Sequence, residues 1–130
     1  MSNYEDRRTI ASVTEAASTL LPEPATGEIR LVAVLSALAD PIRLRIVREL
    51  AAGHEQMACI AFSLPVSKST STHHFRVLRE AGVIRQHRVG TSRMSTLRET
   101  DLGERFPGVL ESVLAAVRGE GLDEERELTE

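Results

Sequence analysis

Tryptophan is absent from this 130-residue chain, and Phe and Tyr are so few that aliphatic side chains must fill its core. One cysteine, Cys59, excludes an internal disulfide framework and any Cys-cluster metal site within one chain. No apolar run is long enough to span a bilayer, so no membrane partner is expected. The opening residues Met1 to Asp6 carry neither the basic nor the apolar region of a signal peptide, which predicts a cytoplasmic protein. Internal repeats are lacking as well. Lysine occurs once, at Lys68, against fifteen arginines, a bias that reads as genome composition.

A chain of 130 residues suits one domain with a real core. Its net charge of −3 speaks against a polyanionic partner only if the charge is spread evenly, and it is not. Residues 67–98 hold Lys68, Arg76, Arg79, Arg85, Arg88, Arg93 and Arg98 against Glu80 alone, a local excess of +6. Residues 1–30 sum to −2, residues 31–66 to zero and residues 99–130 to −7. Polyanion binding follows the local patch. The acidic ends are expected to limit indiscriminate sticking to DNA.

The basic segment opens with Pro65-Val66-Ser67-Lys68, a short turn leading into a helix capped by Ser67. Ser71, Phe75, Leu78 and Gly82 recur at helical spacing and mark the inward side. Lys68, Ser69, Thr72, His73, Arg76 and Arg79 fall on the outward sides. Periodicity alone favours an ordinary solvated face. Such a face carries Glu and Lys, however, whereas this one carries Ser, Thr and His, which are poorer helix formers. Short hydroxyls, an imidazole and cations suit base edges and flanking phosphates.

Before this stretch, apolar Ile10, Val13, Ala17 and Leu20 predict an extra helix around Thr9 to Leu21, ended by Pro22 and Pro24. A second helix is predicted from about Gly27 to Ala39. Asp40-Pro41 restarts the chain as N-cap and first helical residue of a third, which Gly53 ends. A short helix from about Glu55 to Ser63 follows.

After Gly82 the period shortens. Val83–Arg88 and Ser92–Leu97 flank Val89-Gly90-Thr91 and predict a hairpin. Arg85, His87, Arg88 and Arg93 crowd towards its tip. Such a tip by itself fits a solvated loop; directly after a helix-turn-helix it reads as a wing gripping phosphates or a minor groove. A closing helix from about Phe106 to Arg118 carries the stripe Val109, Leu110, Val113, Leu114 and Val117. The expected fold is mainly α with a small β-hairpin, a winged helix-turn-helix whose N- and C-terminal helices form a dimer interface. Residues 1–26 are then an extension with an extra helix, 27–118 the winged domain, and 119–130 an acidic disordered tail. The closing stripe is assigned to the seam between two copies, the alternative being that the closing helix folds back onto its own wing and the protein is a monomer.

Leu38 to Val47 and Val66 to Gly82, followed by a basic hairpin, resemble the arsenical-resistance-repressor (ArsR/SmtB) family of bacterial transcription regulators. The resemblance covers roughly residues 31–98 and, more weakly, the closing helix. It implies a homodimer on double-stranded operator DNA that usually represses until an effector releases it. Carried over residue by residue, the recognition contacts are Lys68, Ser69, Thr72 and His73, the face that the spacing also picks out; the charge pattern, not the resemblance, adds Arg76 and, on the wing, Arg88 and Arg93. Metal sensors of this family often carry Cys-x-Cys before the turn, at positions held here by Gln56 and Ala58, with Cys59 one place off. The closing helix offers only Glu111 where others carry Asp and His pairs. Neither metal site is expected, and no cofactor. Ser71 stands where an aliphatic residue is usual, and Pro65 where glycine is.

Cys59 reads as a buried small hydrophobe, with a redox role left open. His73 and His74, adjacent on one helix, point about 100° apart and do not share a metal easily. His74 is expected half-buried against a neighbouring element. No nucleophile with base and orienting group is legible, so the chain is not read as an enzyme. Two functions from different classes stand: a DNA-binding regulator acting as a repressor, and a winged-helix module for protein–protein contact. The charge pattern favours the first. A small-molecule effector, its identity unknown, is left open.

Overall fold

Asp40 ends one helix and begins the next. In the computed structural model, which describes residues 18–53, 57–58 and 65–120, helix α1 spans Leu31–Leu38 and α2 spans Pro41–Ala51. Asp40 is extended (φ −161°, ψ 130°), and its Oδ1 accepts from the backbone N–H groups of Ile42 at 2.8 Å and Arg43 at 3.1 Å. That bond satisfies two donors the first turn leaves open, and Pro41 has none to satisfy. Val34, Ala37 and Leu38 from α1 meet Ile46, Val47 and Leu50 from α2 in one buried cluster. At the far end Gly53 takes φ +104°, the left-handed conformation expected of it.

The helix predicted over Gly27–Ala39 is divided. Thr26–Glu28 forms a single 3-10 turn, closed by the Glu28 amide on Ala25 O and by Glu28 Oε1 accepting from the Ala25 amide. The backbone then straightens at Ile29, driving that side chain into the core at 1% exposure before α1 begins.

Helix α3, Lys68–Glu80, starts where Ser67 Oγ accepts from the Thr70 amide at 3.2 Å. Phe75 and Leu78 anchor its inner face, while Ser71 is only half-buried. Gly82 turns the chain at φ +88° into strand β3, Ile84–Val89, which pairs antiparallel with β4, Ser92–Leu97. Val89 lies opposite Ser92, leaving the two-residue turn Gly90–Thr91, and only Gly90 has positive φ (+62°), the φ pattern of a type II′ turn. The hairpin does not stand alone. Strand β1, Ser18–Leu20, pairs with β3, and β2, Met57–Ala58, pairs with β4, giving the antiparallel order β1-β3-β4-β2. Both flanking strands fall where helices are predicted. The open edges of β3 and β4 present backbone donors and acceptors that only an extended segment can meet. Leu21 apart, the rest of those two predicted helices lies outside the described residues.

Arg98 turns the chain from β4 into α4, Glu99–Arg105, an element without a sequence signal because Leu102 alone is buried along it. Phe106 to Gly108 form a turn, so Pro107 precedes the closing helix α5, Val109–Glu120, instead of sitting in its first turn. Gly119 and Glu120 of the expected tail belong to α5, and the remainder lies outside the described residues.

Two features set the pose of α3. At Gly82 an added Cβ meets Ile29 Cγ1 at 2.7 Å and Cδ1 at 2.9 Å, and the φ there is one L side chains rarely adopt. Strain in φ and overpacking against a buried Ile should together make Gly82→Ala destabilising by about 2–4 kcal/mol in urea unfolding. A loss under about 0.5 kcal/mol contradicts that close approach.

The second is His74. Its Nδ1 lies 3.0 Å from Arg43 Nη1 and 4.0 Å from Asp40 Oδ1. A guanidinium only donates, so Nδ1 accepts and the ring is neutral with its proton on Nε2. Arg43 Nε is itself fixed on Ala37 O at 2.6 Å. Burial lowers the pKa of His74 below the ordinary 6.5; Asp40 opposes the shift, and Arg43 and His73 add to it. The unfolded chain therefore takes up this proton more readily. The stabilising contribution is complete above about pH 6.5 and lost as pH falls towards the folded value. Urea midpoints compared at pH 7.5 and 5.5 should drop less in His74→Gln than in the wild type. Equal drops in the two proteins would remove His74 as the source.

Candidate nucleic-acid interface

The face of α3 turned away from the core is a stripe of short polar groups. Lys68, Ser69, Thr72, His73 and Arg76 are all exposed and lie at successive positions of one helical side. Most of these groups already hold local contacts: Thr72 Oγ1 donates to Lys68 O at 3.0 Å, and Arg76 Nη2 lies 3.4 Å from His73 Nδ1. Ser69 Oγ is 3.3 Å from Ser67 Oγ. Each hydroxyl keeps lone pairs free, and Lys68 and Arg76 keep donors, so the stripe can both donate and accept. No carboxylate lies among them; Glu80, at the last turn, is the helix's only acid.

On the wing, register places Arg88 directly opposite Arg93. Arg88 is exposed and Arg93 half-exposed. Like charges facing across a strand pair are unfavourable unless an anion or water separates them. The pair sits one step from the Val89–Ser92 end of the hairpin. Arg93 also lies near enough to α3 for its charge, with that of Arg76, to act on Arg79. Cations therefore run from the recognition helix onto the wing.

Not all seven cations of residues 67–98 belong to this surface. Arg85 forms a two-pronged pair with Glu23 (2.9–3.1 Å) and lies 3.6 Å from Asp101. Arg98, its side chain 2% exposed, donates to Asp101 at 2.8 Å and to Pro24 O at 2.9 Å. The bonds it donates to Glu23 hold the Arg85 guanidinium above its ordinary range against the cost of burial. Burial pulls the Asp101 carboxyl upward, but bonds from Arg98 and Thr26, and the charges of Arg98 and Arg85, outweigh it and hold that carboxyl low. The outward charge is thus smaller than the sequence excess, because acids from both flanks neutralise Arg85 and Arg98 internally.

Arg79 corrects the reading more directly. It is predicted outward, yet it is 9% exposed, with Nε donating to Pro22 O at 3.1 Å and Nη1 to Gln86 Oε1 at 2.7 Å. A local signal exists: Arg79 follows Phe75 by four residues and precedes Gly82 by three, so it shares their inward face. Glu23 and Asp101 carry no such signal, because they find their partners only through the fold. His74 is buried beside Arg43, as its expected neighbouring element requires.

The closing stripe also differs from expectation. Leu110, Leu114 and Val117 are buried within this same chain, Leu110 and Leu114 in its main cluster, with Val113 packed against them. Val109 is half-buried. The need for burial that assigned these residues to a partner is met largely by their own core. Among the described residues the exposed large apolar side chains are Leu31, Val32 and Leu35 of α1, at 40%, 77% and 45%, with Leu20 and Val89 on the sheet. Among the described residues no group of three or more His, Cys, Asp or Glu could hold a metal ion, and no helix is long and apolar enough to cross a membrane. Cys59 lies outside the described residues.

Comparison with known proteins agrees with this geometry. A helix-turn-helix domain family matches residues 38–87, from the end of α1 into β3. YceK of Bacillus subtilis, named as an uncharacterized HTH-type transcriptional regulator, is 30% identical over 82 residues, covering 62% of this chain and 82% of that protein. A transcriptional repressor SmtB homolog of Synechocystis is 40% identical over 55 residues, 42% of each chain. The transcriptional repressor SdpR of Bacillus subtilis is 37% identical over 57 residues, 44% of this chain and 63% of its own length. These relatives are transcriptional regulators and not enzymes. With a capped recognition helix inside the matched segment and a basic hairpin directly after it, this chain belongs to the ArsR/SmtB-type helix-turn-helix transcriptional regulators.

Proposed function

We propose that the chain represses transcription as a homodimer on an inverted-repeat operator. Lys68, Ser69, Thr72 and His73 read base edges, while Arg76, Arg88 and Arg93 hold phosphates. The observation that carries this reading is the facing pair Arg88 and Arg93 beside an acid-free polar stripe on α3. A phosphate between the two wing guanidiniums relieves a repulsion the free protein must bear. The names of SmtB and SdpR relatives as repressors support the sign of the regulation.

A mobility-shift series on its own upstream DNA, run against random competitor, separates the two classes of contact. Replacing Ser69, Thr72 or His73 by Ala should cost roughly 1–3 kcal/mol on the operator and much less on random DNA. Arg88→Ala or Arg93→Ala should weaken both, each lowering the magnitude of the salt slope by about one. Equal losses on both DNAs for the α3 variants, or an unchanged slope for both wing variants, would refute these roles.

For the dimer, the exposed face Leu31, Val32 and Leu35 supports a seam through α1. The closing helix, with Leu110 and Leu114 occupied at home, contributes at most its half-buried Val109 and Val113. A two-fold axis would set the recognition helices about 34–36 Å apart, hence an inverted repeat. Val32→Glu with Leu35→Glu should leave the chain helical, make it monomeric in sedimentation and weaken operator binding. A wild type already monomeric at tens of micromolar removes both the dimer and the symmetric operator.

A further inference from the structure

Arg79 ties its own helix to two other parts of the chain. It leaves the inner face of α3 and donates from Nε to Pro22 O in the segment between β1 and α1, and from Nη1 to Gln86 Oε1 on β3. Gln86, wholly buried, passes the connection on: its Nε2 donates to Ser95 Oγ on β4 at 3.2 Å, and its backbone O accepts from the Leu21 amide at 2.9 Å. Arg79, Gln86 and Ser95 thus form a buried polar chain in the seam between recognition helix and wing.

A seam of this kind is more commonly aliphatic, and burying a charge on two neutral acceptors is costly. What a guanidinium fork adds is direction, because its N–H groups are rigidly disposed. Aliphatic packing holds two elements together but lets them slide. A fork anchored at both acceptors sets their angle. The charge itself has no acidic partner in those two bonds; of the charges near enough to act on it, Arg93 and Arg76 oppose it and Glu80 favours it. A cation there invites the alternative that Arg79 serves as one more phosphate contact, but its 9% exposure and the inward bonds of its Nε and Nη1 oppose that.

We infer that Arg79 is a positioning residue, which through Gln86 and the Pro22 carbonyl fixes the angle between recognition helix and wing so that base and phosphate contacts form together. The inference rests on the DNA-binding reading above. It assigns the segment around Leu21 and Pro22 to the DNA-reading unit as the strap that closes the seam.

Three variants test it: Arg79→Lys keeps the charge but loses the fork, Arg79→Met removes both, and Gln86→Leu removes the wing-side acceptor without touching a cation. Operator affinity should fall about tenfold or more in each, as expected for losing bonds to a charged donor. Random-DNA affinity should fall far less, and the salt slope should stay at its wild-type value. The Arg79→Lys, Gln86→Leu double variant should lose little more than either single one, since both break the same link. Wild-type operator affinity in Arg79→Lys would show that charge and not the fork matters, and would overturn the inference. So would a slope reduced by about one in Arg79→Met, or additive losses in the double variant.

Should Arg79→Met fail to fold, the other two variants decide. A readout without DNA separates this inference from the function it rests on. In the free protein, hydrogen exchange at the Leu21 amide should quicken by about tenfold or more in Arg79→Lys while the Ile46 and Val47 amides hold. If the wild type shows no sequence preference, the DNA reading fails, and unchanged exchange at Leu21 then overturns the clamp on its own.

Discussion

A two-stranded hairpin in water is marginal by itself, and the winged half of this protein is shaped by that constraint. β3 and β4 gain support in three ways. Ile84 and Leu97 enter the common core at the hairpin's root, β1 and β2 add a strand to each open edge, and Gln86 with Ser95 supplies a satisfied polar layer inside. The flanking strands are short, as edge strands usually are. Supported in this way, the wing becomes a lever with a defined angle, and the facing Arg88 and Arg93 are carried outward on it.

The distribution of charge follows from the same architecture. Glu23 precedes α1 and Asp101 lies on α4, yet both close on arginines at the foot of the wing. Exposed ion pairs are worth about 0–1 kcal/mol, but Arg98 is nearly inaccessible and gains a carbonyl besides its carboxylate, so its pairing must be near complete. The acids of the flanks therefore do more than offset a basic patch. They take two cations out of it and bind the foot of the wing to the segment before α1. What remains outward on α3 and the hairpin is Lys68, Arg76, Arg88 and Arg93 among short hydroxyls and histidine. That set is smaller than the sequence total, and better placed to discriminate than to attract.

Asp40 plays a comparable double part near the middle of α3. One oxygen caps α2 and also faces His74, while Arg43 bridges the end of α1 to the histidine ring. The recognition helix is thus held by a polar contact near its middle and by Arg79 at its end. The apolar anchors Phe75 and Leu78 lie between and beside them.

Capping and glycine chemistry were legible from the sequence alone, because they act within four residues. Asp40-Pro41, Ser67, Gly53 and Gly90 sit where their local preferences put them, and the helix-turn-helix followed by a basic hairpin could be read from their order. The outward stripe of α3 was legible for the same reason, helical spacing being local. What only tertiary structure decided is which partner each segment meets. Ser18–Leu20 and Met57–Ala58 lie within helix-like spacing but became strands, since a sheet edge outweighs weak propensity. Arg79, Arg85 and Arg98 look like equivalent cations until distant oxygens at Pro22, Glu23, Pro24, Gln86 and Asp101 claim them. The closing stripe and α1 are both apolar, and periodicity alone cannot say which one the chain buries itself. The core took Leu110 and Leu114 and left Leu31, Val32 and Leu35 outside, because a hydrophobic face specifies burial but not the surface that supplies it.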